Sequence, residues 1–202
     1  AGNAFFVFPA ASGARDRDMR WRVASVGIVL YLLVLRLAYL GFTGVWYNNY
    51  YDAEYNATKL SISLDLTKPK GKEVALKLVK WADVVAESMS PGAMADLGLD
   101  YENCRKLNPG VIYLSTSQQG QNGPHRLFKG VGHHVNALAG YCNTTGWPDS
   151  DPTMIFSAYS DFIAPWYLTL TLITALAYRH TTGKGLYLDQ GQVEAGLTFL
   201  GP

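Results

Sequence analysis

Between Ser115 and Gly132 the chain runs Ser-Thr-Ser-Gln-Gln-Gly-Gln-Asn-Gly-Pro-His-Arg-Leu-Phe-Lys-Gly-Val-Gly, four glycines and several amides directly after a strand-like run. In an open α/β sheet, loops at the carboxyl ends of strands form the ligand crevice. Glycines at such a place, Gly120, Gly130 and Gly132 among them, let backbone N–H groups approach an anion or a developing oxyanion with no Cβ in the way. The same composition also fits a long surface loop. Neither the G-x-x-x-x-G-K-[ST] phosphate cradle nor the G-x-G-x-x-G fingerprint is present, so no nucleotide motif is assigned. Asp161, between Ser160 and a long apolar run, has two readings. One is a helix N-cap. The other is a covalent nucleophile, a role open to a carboxylate held away from bulk water against an activated acyl group. His133 and His134, between the glycine-rich loop and an apolar helix, read either as hydrogen-bonded core residues or as a base. No G-x-S-x-G elbow supports a Ser-His-Asp triad.

The elements that must position these residues alternate from Asn56 onward, strand-like runs with helix-like ones, each closed by Gly or Pro. Leu60 to Leu66 alternates apolar and polar residues and predicts a half-buried strand. Thr67 and Pro69 open a helix expected to bury Val74, Leu78 and Trp81, followed by a short strand at Asp83-Val-Val-Ala. Asp100 is placed to cap a helix ending at Leu107, with Asn108-Pro-Gly as its stop and Val111 to Thr116 as the next strand. Asp161 to His180 predicts a long apolar helix, closed by Gly183 and Gly185, and Gly185 to Asp189 leads into a final helix. Two successive helix-to-strand units imply an α/β fold with a largely parallel sheet and crossover helices.

Composition bounds the rest. In 202 residues, 17 Lys+Arg face 16 Asp+Glu, so a net charge of +1 gives no electrostatic reason to bind nucleic acid. Two cysteines, Cys104 and Cys142, have no zinc-ligand spacing, so a reducing, cytoplasmic setting and no metal are expected. The patterns Asn56-Ala-Thr58 and Asn143-Thr-Thr145 match a glycosylation acceptor but are discounted as chance matches. Residues 1–54 fit the α/β texture poorly. Within them Val23 to Tyr47 has the length of a membrane span, yet Arg36 sits near its centre, where a charge costs at least about 2.5 kcal/mol. A buried helix or strand pair is the first expectation there; a span, and a stretch foreign to the fold, stay open.

Four blocks carry a resemblance to the family III CoA-transferases, a family that includes the α-methylacyl-CoA racemases. They are Asn56-Ala-Thr-Lys-Leu-Ser-Ile-Ser-Leu-Asp-Leu, Ala82-Asp-Val-Val-Ala-Glu-Ser-Met-Ser-Pro-Gly, Leu107-Asn-Pro-Gly-Val-Ile-Tyr-Leu-Ser-Thr-Ser-Gln-Gln-Gly, and Thr181-Thr-Gly-Lys-Gly-Leu-Tyr-Leu-Asp-Gln-Gly-Gln-Val-Glu-Ala. In this order and spacing they cover roughly residues 55–202. The resemblance implies a Rossmann-like open sheet, the partial large domain of a longer protein whose chains pair as interlocked homodimers. It implies acyl-CoA and a carboxylic acid as substrates, and Asp161 as the nucleophile that passes through an aspartyl-CoA thioester. Lys59, Ser88, Arg126 and Lys129 are the implied CoA contacts. Ser88 stands where many members have Asn, Ser90 where many have a longer side chain, and Asp96 where some carry an adenosine-contacting Arg, departures that imply either weak CoA affinity or a different arrangement of the contact. Gly132-His-His-Val-Asn136 is similar to a racemase segment and gives an alternative, His133 and Asp161 as two proton-transfer groups. A noncatalytic or membrane-anchored fragment is the reading from another class.

Overall fold

The computed structural model describes residues 6–9, as backbone, and 62–201. The apolar run 23–47 and Lys59 lie outside the described residues. Among those described, four strands form one sheet in the order β1 (Phe6–Pro9), β2 (Ala82–Glu87), β3 (Ile112–Ser117), β4 (Leu186–Gly191). β1 is antiparallel to β2, while β2, β3 and β4 run parallel. The parallel pairs are joined by helices, as the sequence pattern requires.

Helix α1 (Pro69–Trp81) begins where Pro69 presets the backbone, behind a turn in which Thr67 donates from N–H and Oγ to Asp65 Oδ1 at 3.0 and 2.6 Å. Residues 62–65 form no strand, and Leu66 already lies in the turn, so the strand expected over Leu60 to Leu66 is corrected across its described part. The buried face of α1 is Ala75 and Val79, one position on from the expected Val74 and Leu78, and Trp81 is half exposed. The cause is the exit of the helix: β2 starts at Ala82 with no intervening loop, and Asn108 Nδ2 donates to Ala82 O at 2.7 Å to fix that junction. After α2 (Ala93–Asp96), α3 (Tyr101–Leu107) follows its N-cap Asp100 and delivers the chain to β3.

Alternate residues of the parallel strands serve two cores, following the period of two along a strand. Val85 and Tyr113 pack with Ala75, Val79, Leu99 and Cys104 on one face. Val84, Ala86, Ile112 and Leu114 meet Leu168, Leu172 and Ala175 on the other. Those last three belong to α6 (Tyr159–Thr182), reached through α4 (Gly132–Leu138) and α5 (Tyr141–Thr144). By length and composition α6 is able to span a membrane, but here one face of it covers the sheet. Arg179, in its last turn, pairs with Asp83 at 2.6 Å and ties the helix to the start of β2. Gly183, in the left-handed region at φ 73°, ends α6, and β4 leads into α7 (Gln192–Leu197).

Candidate active site

The carboxyl end of β4 meets the start of α6 through Gln190, which donates to Ala164 O, and Gln192, which reaches Asp161. Asp161 sits there, buried, three residues into the helix, because the N-cap is Ala158. Asp161 is therefore not the N-cap that one sequence reading made it. Burial raises its carboxyl pKa to about 6, and a hydrogen bond from the Gln192 side chain pulls the other way.

Gly132, the first residue of α4, lies directly on that carboxylate. A Cβ at Gly132 would stand 2.7 Å from Asp161 Cγ and would overlap Asp161 Oδ2 and the Cβ of Ala158. Only glycine permits this approach. Ser160 Oγ donates to Gly132 O at 3.1 Å, closing the contact between the two helices. Gly130 packs close to Gln118 Oε1 and the His134 ring, where an added Cβ would lie about 3.0 Å from each. Gly120, at φ 78°, turns the chain so that Gln121 N–H donates to both carboxylate oxygens of Asp189 at 3.0 Å. The three glycines thus divide: Gly132 and Gly130 flank the Asp161 region, and Gly120 anchors the loop on β4.

The histidines are corrected as core residues. Both are exposed, because α4 buries the opposite face, Gly132, Val135, Asn136 and Ala139. His134 Nδ1 accepts the Val131 N–H at 3.0 Å and so caps the start of α4, while His133 occupies the helical position next to Gly132. Ser88 is half-buried just beyond β2, and Arg126 and Lys129 are exposed on the segment between β3 and α4.

Several site residues were not singled out from sequence. Glu87, at the end of β2, is buried; Ser115 Oγ donates to its Oε1 and Met89 N–H to its Oε2 at 2.6 Å. Desolvation nevertheless raises its pKa. Gln190 Nε2 donates to Ala164 O at 3.1 Å, joining β4 to the first turns of α6. Among the described residues, Ser117 Oγ, Gln118 Oε1 and Gln190 Oε1 are buried polar atoms with no protein partner, all at the carboxyl ends of β3 and β4. Such atoms are costly unless a bound molecule completes them. The concentration of glutamines in Gln118-Gln119 and Gln190-Gly-Gln192 is the sequence signal for this cluster, since amides after a strand have few other uses in a core.

A mostly parallel α/β sheet whose β4 end, through Gln190 and Gln192, meets a helix start carrying a buried carboxylate defines the class. Residues 41–202 match the profile of CoA-transferase family III, and the chain belongs to that family. It is 36% identical over 146 residues to acetyl-CoA:oxalate CoA-transferase of Acetobacter aceti, covering 72% of this chain and 38% of that protein. Succinate–glutarate CoA-transferase of Agrobacterium fabrum is 36% identical over 145 residues, 70% of this chain and 36% of the relative. Among solved structures, a CAIB/BAIF family protein from Brucella suis superposes with a TM-score of 0.66 at 32% identity, over 68% of this chain and 36% of that one. The chain thus spans well under half the length of these relatives.

Proposed function

We propose that this chain carries the nucleophile of a CoA-transferase that moves CoA from an acyl-CoA donor to a carboxylic acid through Asp161. The observation that carries the reading is the buried carboxylate of Asp161 set against the bare Cα of Gly132, at the head of α6. A pKa near 6 leaves the group ionised at neutral pH yet more basic, and so more nucleophilic, than a solvated aspartate.

The carboxylate attacks the thioester carbonyl of the donor; the C–S bond breaks, giving a mixed anhydride and CoA thiolate. The thiolate then attacks the aspartyl carbonyl, releasing the donor acid as its carboxylate and leaving an aspartyl-CoA thioester. The acceptor carboxylate attacks that thioester, forming a second anhydride and again expelling thiolate, which takes the acceptor acyl group and frees Asp161. Every C–S bond broken is re-formed, so no ATP is needed. Backbone N–H groups around Gly130 and Gly132 are the donors we assign to the tetrahedral oxyanions. Burial limits the water that would hydrolyse the anhydride. Lys59, Ser88, Arg126 and Lys129 are assigned to CoA, the cations to its phosphates. Short dicarboxylic acids are the acceptor class, since the relatives are named for oxalate, glutarate and L-malate. A cytoplasmic homodimer belongs to the same proposal.

A second reading, proton transfer at the α-carbon of a branched acyl-CoA by His133 and Asp161, is favoured by the place of His133 directly after Gly132. One assay separates the two. With acetyl-CoA or succinyl-CoA and a panel of oxalate, succinate, glutarate and malate, the proposal predicts new acyl-CoA species by liquid chromatography. Deuterium entering the α-position of a 2-methylacyl-CoA in heavy water, with no CoA exchange, would favour the second reading.

A further inference from the structure

A carboxylate in the first turn of a helix usually has work of its own: it accepts from the unpaired N–H groups there. In α6 that demand is met from elsewhere. Its N-cap, Ala158, has no polar side chain, and the N–H of Ser160 donates instead to Oδ1 of Asn136 at 2.8 Å. The other end of the same amide, Nδ2, donates to Ser157 O at 2.9 Å. Asn136 is completely buried and lies one helical turn after Gly132, so α4 presents both to α6 on one face.

The turn held in this way is strained. Ser157, at φ 62°, is the one non-glycine in the left-handed region among the described residues, a conformation unfavourable for a residue with a Cβ. Such a turn persists where surrounding contacts over-determine it, and the Asn136 amide supplies two of them. Ser160 Oγ to Gly132 O is a third, returning to the same helix.

We propose that Asn136 is a positioning residue for Asp161: it caps α6 from a different helix and clamps the Ser157–Ser160 turn, leaving the aspartate available for reaction. The inference rests on the reading of Asp161 as the nucleophile. The elements packed against Asp161 carry His133 and His134 on α4, Glu194 on α7, and Tyr187 and Asp189 on β4, while burial is the leading cause of its shift. Loosening the clamp therefore acts on the carboxyl group through its access to water.

The test uses the full chain labelled with γ-13C aspartate, with the Asp161 signal assigned by its loss in Asp161→Asn. A carbon NMR titration gives the carboxyl midpoint, and the rate of adduct formation with acetyl-CoA, read by mass spectrometry, gives reactivity. In Asn136→Ala the midpoint is expected to fall from about 6 toward the ordinary carboxylate range, and the adduct rate to fall tenfold or more. A folded Asn136→Ala protein with both quantities unchanged would overturn the proposal. Should that variant not fold, Asn136→Asp decides by adduct rate alone: it keeps an acceptor for Ser160 but, when ionised, cannot donate to Ser157. A threefold or greater loss supports the clamp and an unchanged rate rejects it. If the parent chain forms no adduct, the nucleophile reading fails, while the midpoint shift still decides the role of Asn136.

Discussion

Two carboxylates are buried in this molecule's described part, Glu87 at the end of β2 and Asp161 in the first turn of α6, and burial raises the pKa of both. They are equipped differently. Glu87 has both oxygens engaged, one by the Ser115 hydroxyl and one by the Met89 N–H, and it closes the turn after its strand. Asp161 meets the Gln192 amide and the Cα of a glycine, while the backbone donor beside it is taken by Asn136. A raised pKa marks desolvation in either case. What distinguishes the reactive candidate is that its carboxylate meets one side-chain donor, Gln192, while Asn136 caps the helix in its place.

The largest effect expected from breaking this contrast is at Asp161. Asp161→Asn removes the proposed nucleophile and should lower the proposed CoA transfer by about a thousandfold or more, as loss of a covalent catalyst does. The same change should stabilise the fold. A folded pKa of about 6 lies above the unfolded value of 3.8, so the stability linked to this group is fully present below pH 3.8 and is lost as pH rises through 6. The loss amounts to about 3 kcal/mol for a shift of this size. Asp161→Asn is therefore expected to be more stable than the parent at pH 8, and the gap should close by pH 4. Urea melts at the two pH values check this.

Gly132→Ala comes next. Its methyl group would overlap both Asp161 and Ala158, and overpacking of this kind costs about 1–3 kcal/mol. Because the displaced group is the carboxylate, transfer should fall about a hundredfold. An alanine variant with full activity would show that α4 and α6 separate without consequence. Glu87 is expected to matter for the fold and not for transfer. Glu87→Gln keeps groups able to pair with Ser115 and Met89, and transfer should stay within about threefold. Glu87→Ala strands both partners and should cost about 1–3 kcal/mol of stability, read from melts at pH 8. The smallest effect is at the loop cations. Arg126→Ala and Lys129→Ala should each weaken CoA binding about threefold, with the difference shrinking as salt is raised, since both are exposed.

Sequence reasoning reached the parts of this site governed by local rules. Pro69 fixed the start of α1, Asn108-Pro-Gly the entry to β3, and the glycine-rich run after β3 the crevice. Asp161 at the head of α6 has two readings in the sequence, cap and nucleophile; the cap is the usual local solution for a carboxylate before an apolar run, and the structure gives that position to Ala158. The cap actually comes from Asn136, 24 residues earlier in the chain, and no local pattern contains that pairing. Leu60 to Leu66 has a strand's alternation, but pairing with a neighbour decides whether a strand forms, and residues 62–65 have none. The helix face of α1 shifted by one residue because a helix without a following loop is oriented by the strand it enters. Of the two readings of the histidines, the core one fails because the apolar texture around them belongs to the other face of a short helix.

In the proposed reaction Asp161 forms a covalent link to the substrate and Glu87 does not. The most direct measurement is the mass of each carboxylate-bearing peptide after brief exposure of the chain to acetyl-CoA and succinyl-CoA. The account predicts a CoA-sized or acyl-sized increment on the peptide carrying Asp161, absent in Asp161→Asn and retained in Glu87→Gln. An increment on Glu87, or on Asp161 in no condition although acyl-CoA binds to the folded chain, would contradict it.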